Sequence, residues 1–333
     1  MKICLRTLVI VIICAQLLTT GCSSKKKINA SKDAGRISKI MNKNGDVMKN
    51  SNGLLSLGYL DTNIESLIYS GSEISVPYYI ENLDKKNKTD IGLMIYTDGQ
   101  LQPYIVEEKG GRSKKKDMHI FHLKSGERKE FRILFWPVTG KAGDKIGFIP
   151  VSIFNPEFHP DSNDSTLFGN TYKITENVTI PIEMRKDGIG HQKRSGIGCR
   201  YVDIPDKIKA QYEGTQMEGE YDAIDSTQTL YIESDKEKVK LDNEGGTDLV
   251  IDAYGGPQDN SKLTLFVNNK PVKLNGGNYI QYKTKKNRMV QIRVRLESGT
   301  VSAGDVIYAM RVPCGDDYKA DGPAVSGPVM VVR

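Results

Sequence analysis

Tryptophan occurs once in the 333 residues and histidine only four times, and the compact signatures of enzyme chemistry are missing. There is no Gly-x-Ser-x-Gly nucleophile elbow, no HExxH helix and no Cys-x-x-Cys pair. A catalytic triad would have to draw its imidazole from His119, His122, His159 or His191. No apolar run reaches the roughly 20 residues that a helix needs to cross a bilayer. The apolar block from Leu8 to Leu18, broken by Gln16, is about half that length, which argues against a permanent transmembrane helix. Amphipathic helical periodicity is almost absent.

Partial motifs fail on their missing members. Gly188, Gly190 and Lys193 lie close together, but a phosphate-binding loop needs Gly-Lys-Ser/Thr and a following helix, and neither is present. Asp161, Asn163 and Ser165 alternate as a calcium loop begins, yet its glycine position holds Thr166 and its closing glutamate position holds Tyr172. His119 and His122 are three apart in MHIFHL, which in a strand points them to opposite faces and away from a shared metal. Glu157 and Asp164 are the acids on which a hydrolase reading would rest. Nothing in their spacing selects them, so the expectation is a protein without catalytic residues, cofactor or metal.

What is present begins at the N-terminus. Lys2 and Arg6 precede the apolar block, and Thr19, Thr20 and Gly21 follow it, directly before Cys22. This is the layout of a secretory signal peptide, and LLTTGC resembles the lipobox of bacterial lipoproteins, departing from it at Thr19, where leucine is commonest. The resemblance covers residues 1–22 only. It implies removal of residues 1–21, acylation of Cys22 and a protein held on the extracytoplasmic face of the cell membrane. Two or more acyl chains anchor stably where one does not, since each buried methylene adds about 0.8 kcal/mol.

Residues 22–53, rich in Lys, Asn and Ser, then read as a basic, flexible tether. Of 47 basic and 41 acidic residues, ten basic and two acidic ones precede Leu54, leaving 37 and 39, a net of −2. The overall charge of +6 therefore belongs to the leader and tether. A nucleic-acid partner is not expected of the remainder.

From Leu54 the pattern becomes period-two. Ile74, Val76, Tyr78 and Ile80 alternate with Ser75, Pro77, Tyr79 and Glu81, as in a strand with one buried face. Pro77, which lacks an N–H, suggests a sheet edge or a bulge. Asp98-Gly99 between two β-rich arms predicts a tight hairpin. Phe131, Ile133 and Phe135 alternate with Arg132, Leu134 and Trp136, a strand expected to be covered on both faces. Gly143-Asp144 and Gly304-Asp305 sit in matching strand–turn–strand contexts, each downstream of a hairpin-like segment. These features predict an all-β chain of two tandem immunoglobulin-like antiparallel β-sandwiches, over 54–186 and 199–333, joined by a glycine- and charge-rich linker at 187–198.

Cys199 and Cys314 remain after cleavage and lipidation. An oxidising location permits a disulfide between them, and two buried thiols are the alternative. Sixteen tyrosines dominate the aromatic set, and tyrosine, with rigid area and a hydroxyl, favours interfaces. Tyr79, opposite the apolar stripe, and Tyr104, in the arm of a hairpin, are the residues expected to form a contact surface. The expected partners are the membrane, through the N-terminal lipid, and an envelope protein bound without catalysis. Cell-wall glycan is the alternative ligand.

Overall fold

The computed structural model describes residues 55–61, 64–158, 174–176, 179–190, 192–212, 229–233, 237–255, 259–316 and 322–333. Cys22 and the leader and tether lie outside these residues, as do His159, Asp161, Asn163, Asp164, Ser165, Thr166, Tyr172 and His191. Among the described residues no helix is long and apolar enough to cross a membrane.

The fold is two β-sandwiches in tandem. In the first, one sheet has strands in the order Leu55–Tyr59, Ile74–Asn82, Arg128–Phe135, Ile105–Glu108 and Gly111–Arg112. The facing sheet runs Leu67–Tyr69, Ile180–Met184, Lys145–Phe154, Thr89–Thr97 and Gln100–Leu101, with Ile174–Glu176 also on Lys145–Phe154 and Met118–Leu123 also on Thr89–Thr97. The second sandwich repeats this plan. Lys238–Lys240, Val329–Val332, Val306–Pro313, Asn260–Val267 and Lys270–Pro271 follow the same order in one sheet, with Ala324–Val325 and Ile280–Lys283 in the two added positions. A parallel strand pairing recurs too, Leu67–Tyr69 with Ile180–Met184 and Lys238–Lys240 with Val329–Val332.

The internal repeat expected from sequence is borne out down to its turns. Asp144 accepts Lys141 N–H at 2.7 Å and Asp305 accepts Ser302 N–H at 2.7 Å. Gly143, at φ 95°, donates to Met184 O, and Gly304, at φ 92°, donates to Val331 O. The copies differ in the smaller sheet, which in the second sandwich runs Thr229–Ile232, Thr247–Tyr254, Arg288–Leu296 and Cys199–Asp203, with no counterpart of Gly111–Arg112 among the described residues. The fourth strand of the smaller sheet is Ile105–Glu108 in the first sandwich, within the domain, whereas in the second it is Cys199–Asp203, supplied by the connecting segment.

Alternation places the cores as expected. Ile74–Asn82 buries every second residue, and Val76, Tyr78 and Ile80 are fully buried in the first core. Pro77 is in an inner strand, yet its carbonyl accepts Leu60 N–H just past the end of Leu55–Tyr59. Its missing N–H therefore falls where the ladder has already stopped. Asp98 and Gly99 form the predicted hairpin turn, at φ 48° and 71°.

A third apolar cluster joins the two sandwiches. Met94, Tyr96, Ile149, Val151 and Ile153 pack from the first, and Phe266, Val306, Tyr308, Met310 and Val312 from the second. The larger sheets therefore stand back to back, their central strands buried on both faces. Phe266 and Tyr308 stack at 4.8 Å, and Tyr96 Oη donates to Met310 Sδ at 3.0 Å. The strand expected to be covered on both faces, Arg128–Phe135, has its second face buried only at Leu134, while Arg132 is exposed.

The connecting segment is pinned to both sides. Gly188 N–H donates to Gly140 O, Gln192 Nε2 to Leu101 O at 2.7 Å, and Ser195 N–H to Tyr279 O at 2.7 Å. Hydrogen bonds and the shared cluster thus make the sandwiches one compact unit.

Candidate functional site

With the larger sheets occupied by each other, each sandwich has its smaller sheet facing outward, and the two outward faces differ. In the second sandwich the short helix Asp206–Tyr212, not anticipated from sequence, lies over that face: Ile204 and Ile208 pack on Tyr254 and Met289. Beside them Gln291 Nε2 donates to the buried Asp252 at 3.0 Å, and Arg200 Nε donates to Gln291 Oε1 at 3.0 Å. The corresponding face of the first sandwich carries Tyr79 in a lattice of charges.

Tyr79 is half-buried and held from three sides. Its hydroxyl is 3.2 Å from Ser56 Oγ, and the Arg128 guanidinium lies 3.9 Å above its ring. On the neighbouring strand stands Gly58, where a Cβ would approach the ring to 2.8 Å. Around it Arg128 pairs with Glu130 at 2.9 Å and with Glu81 at 3.5 Å. Arg112 pairs with Glu107 at 2.8 Å and Glu73 at 3.3 Å, and Arg132 donates to Ser75 Oγ at 2.7 Å. Exposed ion pairs of this kind contribute only about 0–1 kcal/mol each. Exchanging one for a partner's charge therefore costs little, while the fixed tyrosine ring adds contact area without much entropy to lose.

Tyr104 is not part of this surface, contrary to the sequence reading. It is fully buried, and its hydroxyl donates to Leu93 O at 2.7 Å in the first core. The reason lies in the hairpin, whose second arm is only Gln100–Leu101. The chain then crosses to the other sheet at Ile105–Glu108, and Tyr104 fills the crossing. Burial pushes its hydroxyl pKa well above the ordinary range.

The two cysteines are not joined by a disulfide. Cys199 pairs with Ile292 in the smaller sheet of the second sandwich, and Cys314 follows the last residue of Val306–Pro313 in the larger sheet. There the Cys314 side chain is buried beside the Asp98-Gly99 turn.

His119 and His122 do face opposite ways. His122 is exposed, and its Nδ1 lies 2.9 Å from Asp90 Oδ1. His119 is buried against Tyr104, at a ring separation of 4.7 Å, with Nε2 3.1 Å from Tyr104 O. Burial, aided by the charge of Lys116, holds the His119 pKa below its ordinary 6.5, although the Tyr104 carbonyl favours the proton. A depressed histidine pKa makes the unfolded chain the better proton binder. Stability from this source is complete above about pH 6.5 and is lost as pH falls towards the folded-state value. Between pH 7.5 and pH 5.5 the wild type should therefore lose more urea resistance than His119→Gln. Equal losses would show that His119 does not couple folding to pH. Asp117, whose pKa burial raises, acts with the opposite sign at lower pH and is common to both proteins.

No family model matches the sequence, and no curated protein matches it. Among solved structures, the chain is similar to a Salmonella enterica SafA pilin in complex with the SafB chaperone, at 10% identity and a TM-score of 0.22. That likeness covers 85% of this chain and 98% of the other. It is also similar to the E. coli chaperone DraB, at 12% identity and a TM-score of 0.25, over 84% of this chain and 95% of that one.

Proposed function

We propose that this chain is a lipoprotein on the extracytoplasmic face of the cell membrane, anchored through Cys22. In this reading its fused sandwiches bind an envelope protein without catalysis. The observation that carries the binding role is the outward face of the first sandwich, where one tyrosine is fixed by Gly58, Ser56 and Arg128 among exchangeable Arg–Glu pairs. Tyrosine and arginine are, with tryptophan, the side chains enriched at interface hot spots. The back-to-back packing supports the same reading, because a rigid body presents such a face at a fixed angle to whatever binds it. The layout of residues 1–22 supports the anchor, and residues 22–53 supply a basic tether between lipid and fold.

The test is a cross-linked pull-down from intact cells carrying a tagged full-length chain, beside Cys22→Ala and Tyr79→Ala versions. A protein partner should be recovered by the wild type and lost or reduced at least fivefold in Tyr79→Ala, and Cys22→Ala should leave the membrane fraction. Unchanged recovery with Tyr79→Ala would remove this face from the proposal. Copurification of wall glycan in place of protein would turn the reading towards carbohydrate binding.

A further inference from the structure

On the larger sheet of the first sandwich, not the sheet that carries Tyr79, three segments bring one imidazole and two carboxylates together. Asp90 lies in Thr89–Thr97 and His122 in Met118–Leu123, and the two are direct cross-strand partners in the antiparallel ladder. Glu157 comes from the turn that follows Lys145–Phe154. One ligating atom from each of the three lies within 4.8 Å of the other two.

We propose that Asp90, His122 and Glu157 bind a single divalent transition-metal ion of the zinc type. The chemistry of the donors selects the ion. Imidazole nitrogen with carboxylate oxygen suits zinc, whereas calcium and magnesium prefer sites made of oxygen alone. Around a tetrahedral zinc, with bonds of about 2.0–2.1 Å, neighbouring ligand atoms stand roughly 3.3 Å apart. His122 Nδ1 and Asp90 Oδ1, now 2.9 Å apart, would need to separate by only a few tenths of an ångström. Three protein ligands leave a fourth position, and it faces solvent: the His122 side chain is 69% exposed and that of Asp90 38%.

The mounting of these ligands is rigid. Asn155 N–H donates to Asp90 O at 2.8 Å, so the turn bearing Glu157 is tied to the strand bearing Asp90. Phe158 N–H closes that turn on Asn155 O at 3.0 Å, and the Phe158 side chain is buried. Pro156 O accepts Asn269 Nδ2 from the second sandwich at 2.9 Å. The ladder fixes the other two positions relative to each other. Little ordering is left for the ion to impose beyond side-chain rotation, and such preorganisation is what converts nearby donors into affinity.

The same three residues also have a simpler role open to them, a surface His–Asp pair with a nearby glutamate, and the experiment separates the two. The full chain in detergent, stripped with EDTA, is titrated with zinc chloride by calorimetry and with cobalt(II) by visible absorption. One equivalent of zinc should bind, cobalt should give d–d bands of a low-coordinate site, and His122→Ala and Glu157→Gln should each weaken zinc binding at least tenfold. Both variants change exposed side chains, and their circular dichroism should match the wild type. If Glu157→Gln perturbs its turn, His122→Gln leaves the turn untouched and carries the test alone. No saturable zinc binding, or binding unchanged by the variants, would overturn the site.

Discussion

Replacing Asp259 by alanine should cost about 3–5 kcal/mol of stability, the loss typical of breaking a buried ion pair from one side. Asp259 and Arg311 are both buried, at 1% and 0% exposure, and Asp259 Oδ2 accepts Arg311 Nη2 at 2.6 Å. Arg311 Nε also donates to Ser261 Oγ at 3.0 Å, and Thr284 Oγ1 donates to Asp259 Oδ1 at 3.0 Å. The pair thus ties the start of Asn260–Val267 and the end of Ile280–Lys283 to the C-terminal half of Val306–Pro313, at one end of the second core. Without Asp259 the guanidinium would stay buried with its charge uncompensated. Because whole domains are stable by only about 5–15 kcal/mol, the loss should be plain in the urea midpoint. Arg311→Met combined with Asp259→Leu should recover most of it, since removing both charges removes the desolvation cost as well. A single-variant loss below 1 kcal/mol would show that water reaches the guanidinium once the carboxylate is gone.

How far such features can be read ahead depends on what determines them. Strands with one wet face declare themselves by alternation, so Ile74–Asn82 is legible residue by residue, and so are the Asp98-Gly99 turn and the paired Gly-Asp turns of the repeat. The back-to-back cluster left a fainter trace. GLMIYT and VIYAMRV are nearly unbroken apolar runs, the mark of strands buried on two faces, whereas KLTLFV carries Lys262 and Thr264. Composition cannot say which other face will cover them. The burial of Tyr104 is not legible in the sequence because hairpin arms usually continue, whereas this one leaves its sheet after two residues. Asp90 and His122 are 32 residues apart and meet only through strand register, and Glu157 joins them through a turn whose geometry depends on Asn155. The Tyr79 face was half legible: alternation points the ring outward, but its clamp requires knowing that Gly58 and Arg128 flank it.

Gly99→Val should have the second large effect, by separating the sandwiches without emptying either core. Gly99 sits at φ 71°, and a Cβ there would lie 2.9 Å from Val312 O, 3.0 Å from Pro313 O and 3.0 Å from Cys314 Cβ. Two of these obstacles are backbone atoms of the second sandwich and cannot rotate aside. A β-branched side chain adds about 1–2 kcal/mol for the left-handed backbone and about 1–3 kcal/mol for overpacking. The turn also carries the main polar ties between the halves. Lys262 Nζ, nearly buried, donates to Asp98 O at 2.7 Å and Asp98 Oδ2 at 2.6 Å, and Gly315 N–H donates to Asp98 Oδ1 at 2.7 Å. Pushing the turn away breaks all three and exposes the apolar cluster around Tyr96, Phe266 and Tyr308. Gly143→Ala and Gly99→Ala form the control pair, since Gly143 also has positive φ but open space where its Cβ would be. Both pay for the backbone, and only Gly99→Ala pays for the contact. Hydrogen exchange should therefore show the Gly315 amide losing protection in both Gly99 variants and keeping it in Gly143→Ala. The amides inside Ile74–Asn82 should stay protected throughout, because that strand belongs to the first core and not to the junction. If Gly99→Val instead leaves Gly315 protected, the junction is held by the apolar cluster alone and the turn merely rests against it.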